Sequence, residues 1–360
     1  MLIQKTRLVE ALSRVAPITS GQTTIPILNY IRLAGTDASL LLQATNLEVS
    51  VEQAIAGEID EIDVCVPGKL TASLIGNMPD GEIELKLNNS RLIVAAGATN
   101  ATLSTLPTDD FPRWEPDKTA GAAIDAAALA AAIGSIAYAA SKSDLRFNLN
   151  TIYADPDGPH TTLVATDGHR LAMTKTPSIP GVETPILIPS DHIGKITAFL
   201  TSAQPLYLAT DEKNIWLYTD TGAVGVRLLD GEYPPYRRLI PEDKGYVFTV
   251  LRAPLTQALR RCAIFTTDRN KAVTLTLGET ELRTETQHPE LGTATDTIET
   301  SYSGPPFTGI FNVFYLQDAL ASIKGEVVNI YVSEALRPIF LTDGAPDETL
   351  HLVMPMRGDA

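Results

Sequence analysis

Cysteine is scarce in this chain. Of 360 residues two are Cys, at positions 65 and 262. They lie far apart and form no CxxC, which excludes a disulfide scaffold and suits a reducing cytosol. Polar low-complexity tracts are missing, and with 44% hydrophobic residues disorder is excluded as the main state. Long apolar runs are missing as well. The least polar stretch, 122–140, is mostly alanine and carries Asp125, Gly134 and Ser135, so it reads as a packed helix and not as a membrane span. The opening MLIQKTRLVEALSRV mixes charges among apolar residues at helical spacing, so no signal-peptide core is expected there.

Catalytic signatures are absent too. There is no Walker loop, GxGxxG or GxSxG. His160, His169, His192, His288 and His351 form no HExxH and no paired spacing with the cysteines, so neither a metal nor another cofactor is expected. Asp167 and His169 sit close, but on a strand they share a side with no evident nucleophile beside them, leaving an acid/base pair as a minor alternative. Basic charge is also short. Lys and Arg number 28 against 43 Asp and Glu, for a net charge of −15. That balance argues against nucleic acid and anionic membrane unless the charge is segregated.

What is present is repetition. Helical apolar spacing starts three segments, at 7–17, 126–140 and 254–265, with Leu8, Leu12 and Val15 on one face in the first and Leu129, Ile133 and Ile136 in the second. A second helix recurs after Pro67, after Pro189 and after Asn312, at intervals of 122 and 123 residues. Alternating strands follow each one: Ile83, Leu85 and Leu87 returning through Leu92 and Val94; Leu206 and Leu208 returning through Ile215 and Leu217; Val328, Ile330 and Val332 returning through Ile339 and Leu341. LSTLPTDDFPRWEP at 103–116 matches VRLLDGEYPPYRRLIP at 226–241, with Pro112 and Pro234 again 122 apart. The expected fold is α+β: three domains, 1–118, 119–245 and 246–360, each with two helices on antiparallel sheet and with linkers near 115–121 and 241–245.

Several segments then carry a specific resemblance. TIPILNYIRL (24–33), LSTLPTDDFP (103–112), ATDGHRLA (165–172), LDGEYPPYRRLIP (229–241), FNVFY (311–315) and VMPMR (353–357) resemble the bacterial sliding clamps, the beta subunits of DNA polymerase III. The resemblance runs from residue 24 to 357 in the family's order. It implies a cytoplasmic, non-catalytic homodimer, joined head to tail, whose helices line a hole around duplex DNA without reading its sequence. A loader would open the ring, and short peptide motifs of polymerase and loader subunits would dock on it.

Charge along the chain agrees with that implication. The spans 5–17, 67–78, 125–140, 190–200, 252–262 and 312–324 carry Lys5, Arg7, Arg14, Lys69, Lys195, Arg252, Arg260, Arg261 and Lys324 against Glu10, Asp125, Asp191 and Asp318. The helices are thus net +5 and the remainder −20, a basic lining within an acidic rim. The helix at 125–140 has no basic residue, and Lys142 and Arg146 just beyond it are assigned to the DNA face instead. Gln22 stands where clamps often have an arginine. For any one of these cations a solvated helix face is the plainer reading.

By motif, the peptide groove implied by the resemblance uses Leu149, Thr166, Gly168, His169, Arg170, Leu171, Pro234, Arg238, Leu239, Tyr315, Leu336, Pro338, Leu352, Met354, Met356 and Arg357. Flexible Met suits irregular apolar ligands, and Arg170 and Arg238 are expected to hold peptide carbonyls or carboxylates. The plainer reading of ATDGHRLA is a strand, an Asp-Gly turn and a strand. Residues 358–360 extend past the family's usual end and are expected to shade the groove. The resemblance places Leu103, with Lys69 nearby, on one side of the subunit interface and Ile264 and Phe265 on the other, the last two being equally readable as core residues. Ala101 stands where a larger apolar residue would strengthen the contact. The rival function is a peptide-binding adaptor built from repeats that never encircles DNA; a dimer of twice the chain mass separates the two.

Overall fold

The computed structural model describes residues 1–360 except 21–22, 37, 59, 115–120, 143–147, 201–204, 269, 347 and 357–360, with the backbone alone at 20 and 36. Among the described residues six α-helices form: α1 (Lys5–Val15), α2 (Gly68–Asn77), α3 (Ala126–Ile136), α4 (Ile193–Leu200), α5 (Arg252–Ile264) and α6 (Val313–Ser322). None is long and apolar enough to cross a membrane. Twenty-four strands accompany them in three sets of eight, each in the order strand, helix, four strands, helix, three strands.

The residues that keep the sequence register are those that start helices. Pro67 and Asn312 are the N-caps of α2 and α6, and Pro189 caps the short turn that leads into α4. Asn312 shows why: its Oδ1 accepts the amide of Phe314 at 3.0 Å, satisfying one of the donors a helix start leaves open. Leu8, Leu12 and Val15 of α1 are buried, as their spacing predicts. The helices at the starts of the first two sets end sooner than expected, because Ala16–Ser20 and Ala137–Ala139 tighten into 3₁₀ turns.

Although the repeats number three, the chain packs as two compact units. One is Met1–Ala126 with Gly194–Leu228, the other Ala127–Ile193 with Leu229–Ala360, so the central repeat is shared between them. The cause lies in the sheets, which run from one repeat into the next.

In the first unit Val49–Ala56, the fourth strand of the first set, pairs antiparallel with Gly222–Arg227, the eighth of the second set, building an eight-stranded sheet. A four-stranded sheet completes this unit and ends at Thr99–Ser104. Trp114 and Trp216 stack here, with centroids 5.3 Å apart. Gly225 makes the room, since a Cβ there would overlap the Trp216 ring.

The second unit repeats the scheme. Arg170–Pro177, the fourth strand of the second set, pairs with Thr349–Val353, the eighth of the third. A four-stranded sheet again completes the unit, this time ending at Gly292–Glu299. Phe248, Leu255, Leu259, Phe311, Leu316 and Leu320 form the heart of its core, between sheet and the α5–α6 pair.

Candidate functional site

The second unit holds an open apolar cavity of about 480 Å³ walled by Arg238, Leu239, Leu336, Pro338, Phe340 and Met354, with Asp243, Lys244, Glu334 and Arg337 at its rim. Two of its leucines stand in solvent: Leu239 is 44% exposed and Leu336 74%. An exposed leucine needs no explanation alone, but two beside a concave apolar wall make this the candidate binding surface. Beneath lies a buried cluster of Val164, Leu171, Met173, Tyr236, Phe340, Leu350 and Leu352, against which Tyr153, Tyr233, Tyr331 and Met354 pack half-buried.

Next to this cavity the ATDGHRLA segment forms a tight turn between Arg170–Pro177 and the strand before it. Gly168 takes φ +87°, a conformation that favours glycine. Thr166 Oγ1 accepts the Gly168 amide at 3.1 Å, and Asp167 Oδ1 accepts the amides of His169 and Arg170 at 2.9 and 3.0 Å. His169 O accepts the Met354 amide at 2.9 Å, which ties the cavity wall to the turn. The first repeat builds the same turn from Thr45, Asn46 and Leu47, with Asn46 Oδ1 accepting the amides of Glu48 and Val49 at 3.1 and 2.7 Å.

Arg170 corrects one expectation. Its Nε donates to Asp167 Oδ2 at 3.0 Å, Nη1 to Asp318 Oδ2 at 2.5 Å and Nη2 to the carbonyl of Tyr138 at 2.8 Å. The guanidinium carbon lies 5.1 Å from the Tyr138 ring centre and 4.6 Å from that of Tyr315, and His169 stacks on Tyr315. A guanidinium so occupied and only 9% exposed shapes the wall and does not reach for a ligand. Arg238, by contrast, is exposed and lines the cavity.

The other motif-assigned groove residues divide by depth. Leu149, Thr166, Leu171 and Leu352 are buried support. Pro234 is exposed, and its carbonyl accepts the amide of Tyr236. Met356 is half-buried and hydrogen-bonds the carbonyl of Ile310 through its amide, so it follows the neighbouring sheet and does not line the cavity. Arg357 and residues 358–360 lie outside the described residues. Tyr138, Phe340 and Asp318 were not singled out from sequence. Tyr138 is hidden in the alanine run, Phe340 has no motif, and Asp318 reads as one more helix charge.

The helix cations differ in how free they are. Lys5 Nζ bonds the carbonyl of Met78 at 2.6 Å and Asp80 at 2.9 Å. Arg14 is held by Gln53 and Glu10, Arg252 by the carbonyl of Gly325, and Arg261 by both oxygens of Asp296. Arg7 donates to the carbonyl of Ala56 yet remains exposed. Lys69, Lys142, Arg260 and Lys324 are exposed, and Lys195 is half-buried with a partner of its own. Arg146 and Gln22 lie outside the described residues. Among the interface residues, Leu103 is buried within its own unit, Phe265 is half-buried against Gly292, and Ile264 is 73% exposed.

Comparison with known proteins decides the family. Models of the N-terminal, central and C-terminal domains of the DNA polymerase III beta subunit match residues 1–115, 123–235 and 237–357 in that order. The chain belongs to the DNA polymerase III beta subunit family, the beta sliding clamps. It is thus a non-catalytic processivity factor of three clamp domains.

The beta sliding clamp of Salmonella typhimurium is 28% identical over 365 residues, covering 99% of each chain, and that of Escherichia coli is 27% identical with the same coverage. Among solved structures, a DnaN sliding clamp from Bartonella birtlesii bound to griselimycin superposes with a TM-score of 0.94 at 27% identity. The sliding clamp from Pseudomonas aeruginosa with ligand does so with a TM-score of 0.93 at 27%. Each covers 99% of both chains.

Proposed function

We propose that two copies of this chain close head to tail into a ring around duplex DNA, and that the cavity of the second unit takes short peptides from polymerase and loader subunits. One observation carries the ring. The fourth strand of each set seeks the eighth strand of the next: Val49–Ala56 has Gly222–Arg227, and Arg170–Pro177 has Thr349–Val353. By the same rule Gly292–Glu299 of the third set wants Thr99–Ser104 of the first. Each instead ends its sheet. A second copy supplies both missing partners, in a heterologous contact that closes when the third domain of each chain meets the first of the other. Lys69 and Leu103 then stand on one side of the contact and Ile264 and Phe265 on the other.

In this reading the domains run 1–118, 119–245 and 246–360, and the protein works in the cytoplasm beside DNA. The exposed Arg7, Lys69, Lys142, Arg260 and Lys324, together with Arg146, meet phosphates in passing. Few tight contacts suit sliding, because each neutralised phosphate steepens the salt dependence by about 0.9 in log–log slope. Topology, not affinity, keeps such a ring on its track. A Leu and a Phe from a partner peptide, buried in the cavity, gain about 3–6 kcal/mol before ordering costs. With a few hydrogen bonds this supports about micromolar binding, suited to exchange between partners.

Light scattering at working concentration tests the ring. A mass of twice the 38.7 kDa chain is expected. A monomer at all concentrations would remove the ring and leave the peptide-binding adaptor.

A further inference from the structure

We infer that Tyr138 is a positioning residue of the peptide groove, holding Arg170 and the strand that leads to Met354 in one fixed relation. The inference rests on the groove reading above. Tyr138 follows α3 in the short turn Ala137–Ala139, and three of its contacts bear on the groove. Its carbonyl accepts Arg170 Nη2 at 2.8 Å. Its ring lies under the Arg170 guanidinium at 5.1 Å. Its hydroxyl meets His351 Nδ1 at 3.0 Å.

His351 sits in Thr349–Val353, opposite Ala172, while its neighbours Leu352 and Val353 face Leu171 and Arg170. The residue after Val353 is Met354, whose amide bonds His169 O. One residue therefore fastens the two strands that carry the turn and the cavity wall.

The contact is also poorly replaceable. His351 is fully buried, and its Nε2 has no hydrogen-bond partner among the described residues. Without the Tyr138 hydroxyl both ring nitrogens would be unpaired in a site closed to water. The strand's cheapest escape is to shift His351, and Met354 is three residues further on.

Fluorescence anisotropy with a labelled QLxLF-type peptide tests this, and wild-type binding is the entry condition. If the wild type does not bind, the groove reading fails and not the positioning role. Given binding, Tyr138→Phe is expected to weaken it about five-fold, as for a lost hydrogen bond, and to shift the Met354 methyl ¹³C resonance of the free protein. Met354→Ala combined with Tyr138→Phe should bind no more weakly than Met354→Ala alone, since both act through one wall. Thr174→Val removes the Thr174–Thr349 hydroxyl contact between the same two strands. It should lower thermal stability comparably and leave peptide affinity unchanged. Unaltered affinity and an unmoved Met354 resonance in Tyr138→Phe would overturn the inference. So would effects of Tyr138→Phe and Met354→Ala that multiply, or an affinity loss in Thr174→Val equal to that in Tyr138→Phe.

Discussion

The two sheet junctions inside the chain and the pair of edges left open occupy equivalent places in the repeats, yet they are built from different residues. At the closed junctions Val49 and Val51 face Val226 and Val224, and Leu171 and Met173 face Leu352 and Leu350, all buried. The open edges read TNATLS and GTATDTIE, dominated by threonine and exposed along most of their length. Apolar burial makes a junction permanent. Hydroxyls and two acidic residues make an edge that dissolves well and pairs with modest strength, which suits the proposed ring, since that ring must be opened.

Truncation inside a closed junction should show the largest effect. Leu352→Ala is expected to cost about 3 kcal/mol of stability in the second unit, through lost contacts and a cavity, read by chemical denaturation. At the open pair, Ile264→Glu should weaken dimerisation more than about a hundred-fold, as for burying an unpaired charge. Because Ile264 is 73% exposed within its own chain, the thermal stability of the isolated chain should hardly move. Sedimentation equilibrium beside a melting curve separates the two effects, and equal losses in both would erase the distinction drawn between the junctions.

A closed junction should also answer to pH. Burial pushes the His351 imidazole down from 6.5 to about 4. The unfolded chain therefore takes up a proton that the folded chain refuses as pH falls below about 6.5. The contribution is present above that value and is lost as pH falls towards about 4. Between pH 7 and 5 the loss is about 2 kcal/mol, and His351→Gln should flatten that part of the profile. The smallest effect is a gain. Ala101→Leu adds apolar area at the open edge and should tighten the dimer about ten-fold, without altering peptide affinity.

Much of this architecture was visible in the sequence because capping is local. Pro67, Pro189 and Asn312 must stand where helices begin, so their spacing counted the repeats directly. The apolar wall of the cavity was visible in part, since Leu239 and Met354 fall in segments with a family signature. Arg170 was misjudged because its partners, Tyr138 and Asp318, are remote in sequence and neither stands out there. Net helix charge is blind to remote partners in the same way. Lys5 and Arg261 carry full charges, but Asp80 and Asp296, which lie outside the helices, answer them locally, and a sum along helices cannot see pairing in space. Nor did three repeats announce two packing units, since strand pairing between repeats is set by exposed edges and not by periodicity.

Trp114 and Trp216, stacked beside Gly225, are the chain's only 2 tryptophans, and both fall in the first unit. The second unit has tyrosine as its intrinsic emitter. Light at 295 nm therefore excites one unit and leaves the other dark. A melting curve followed by tryptophan emission reports the first unit alone, and a signal at the peptide cavity must be introduced from outside. The molecule thus comes with its two halves already distinguishable by colour.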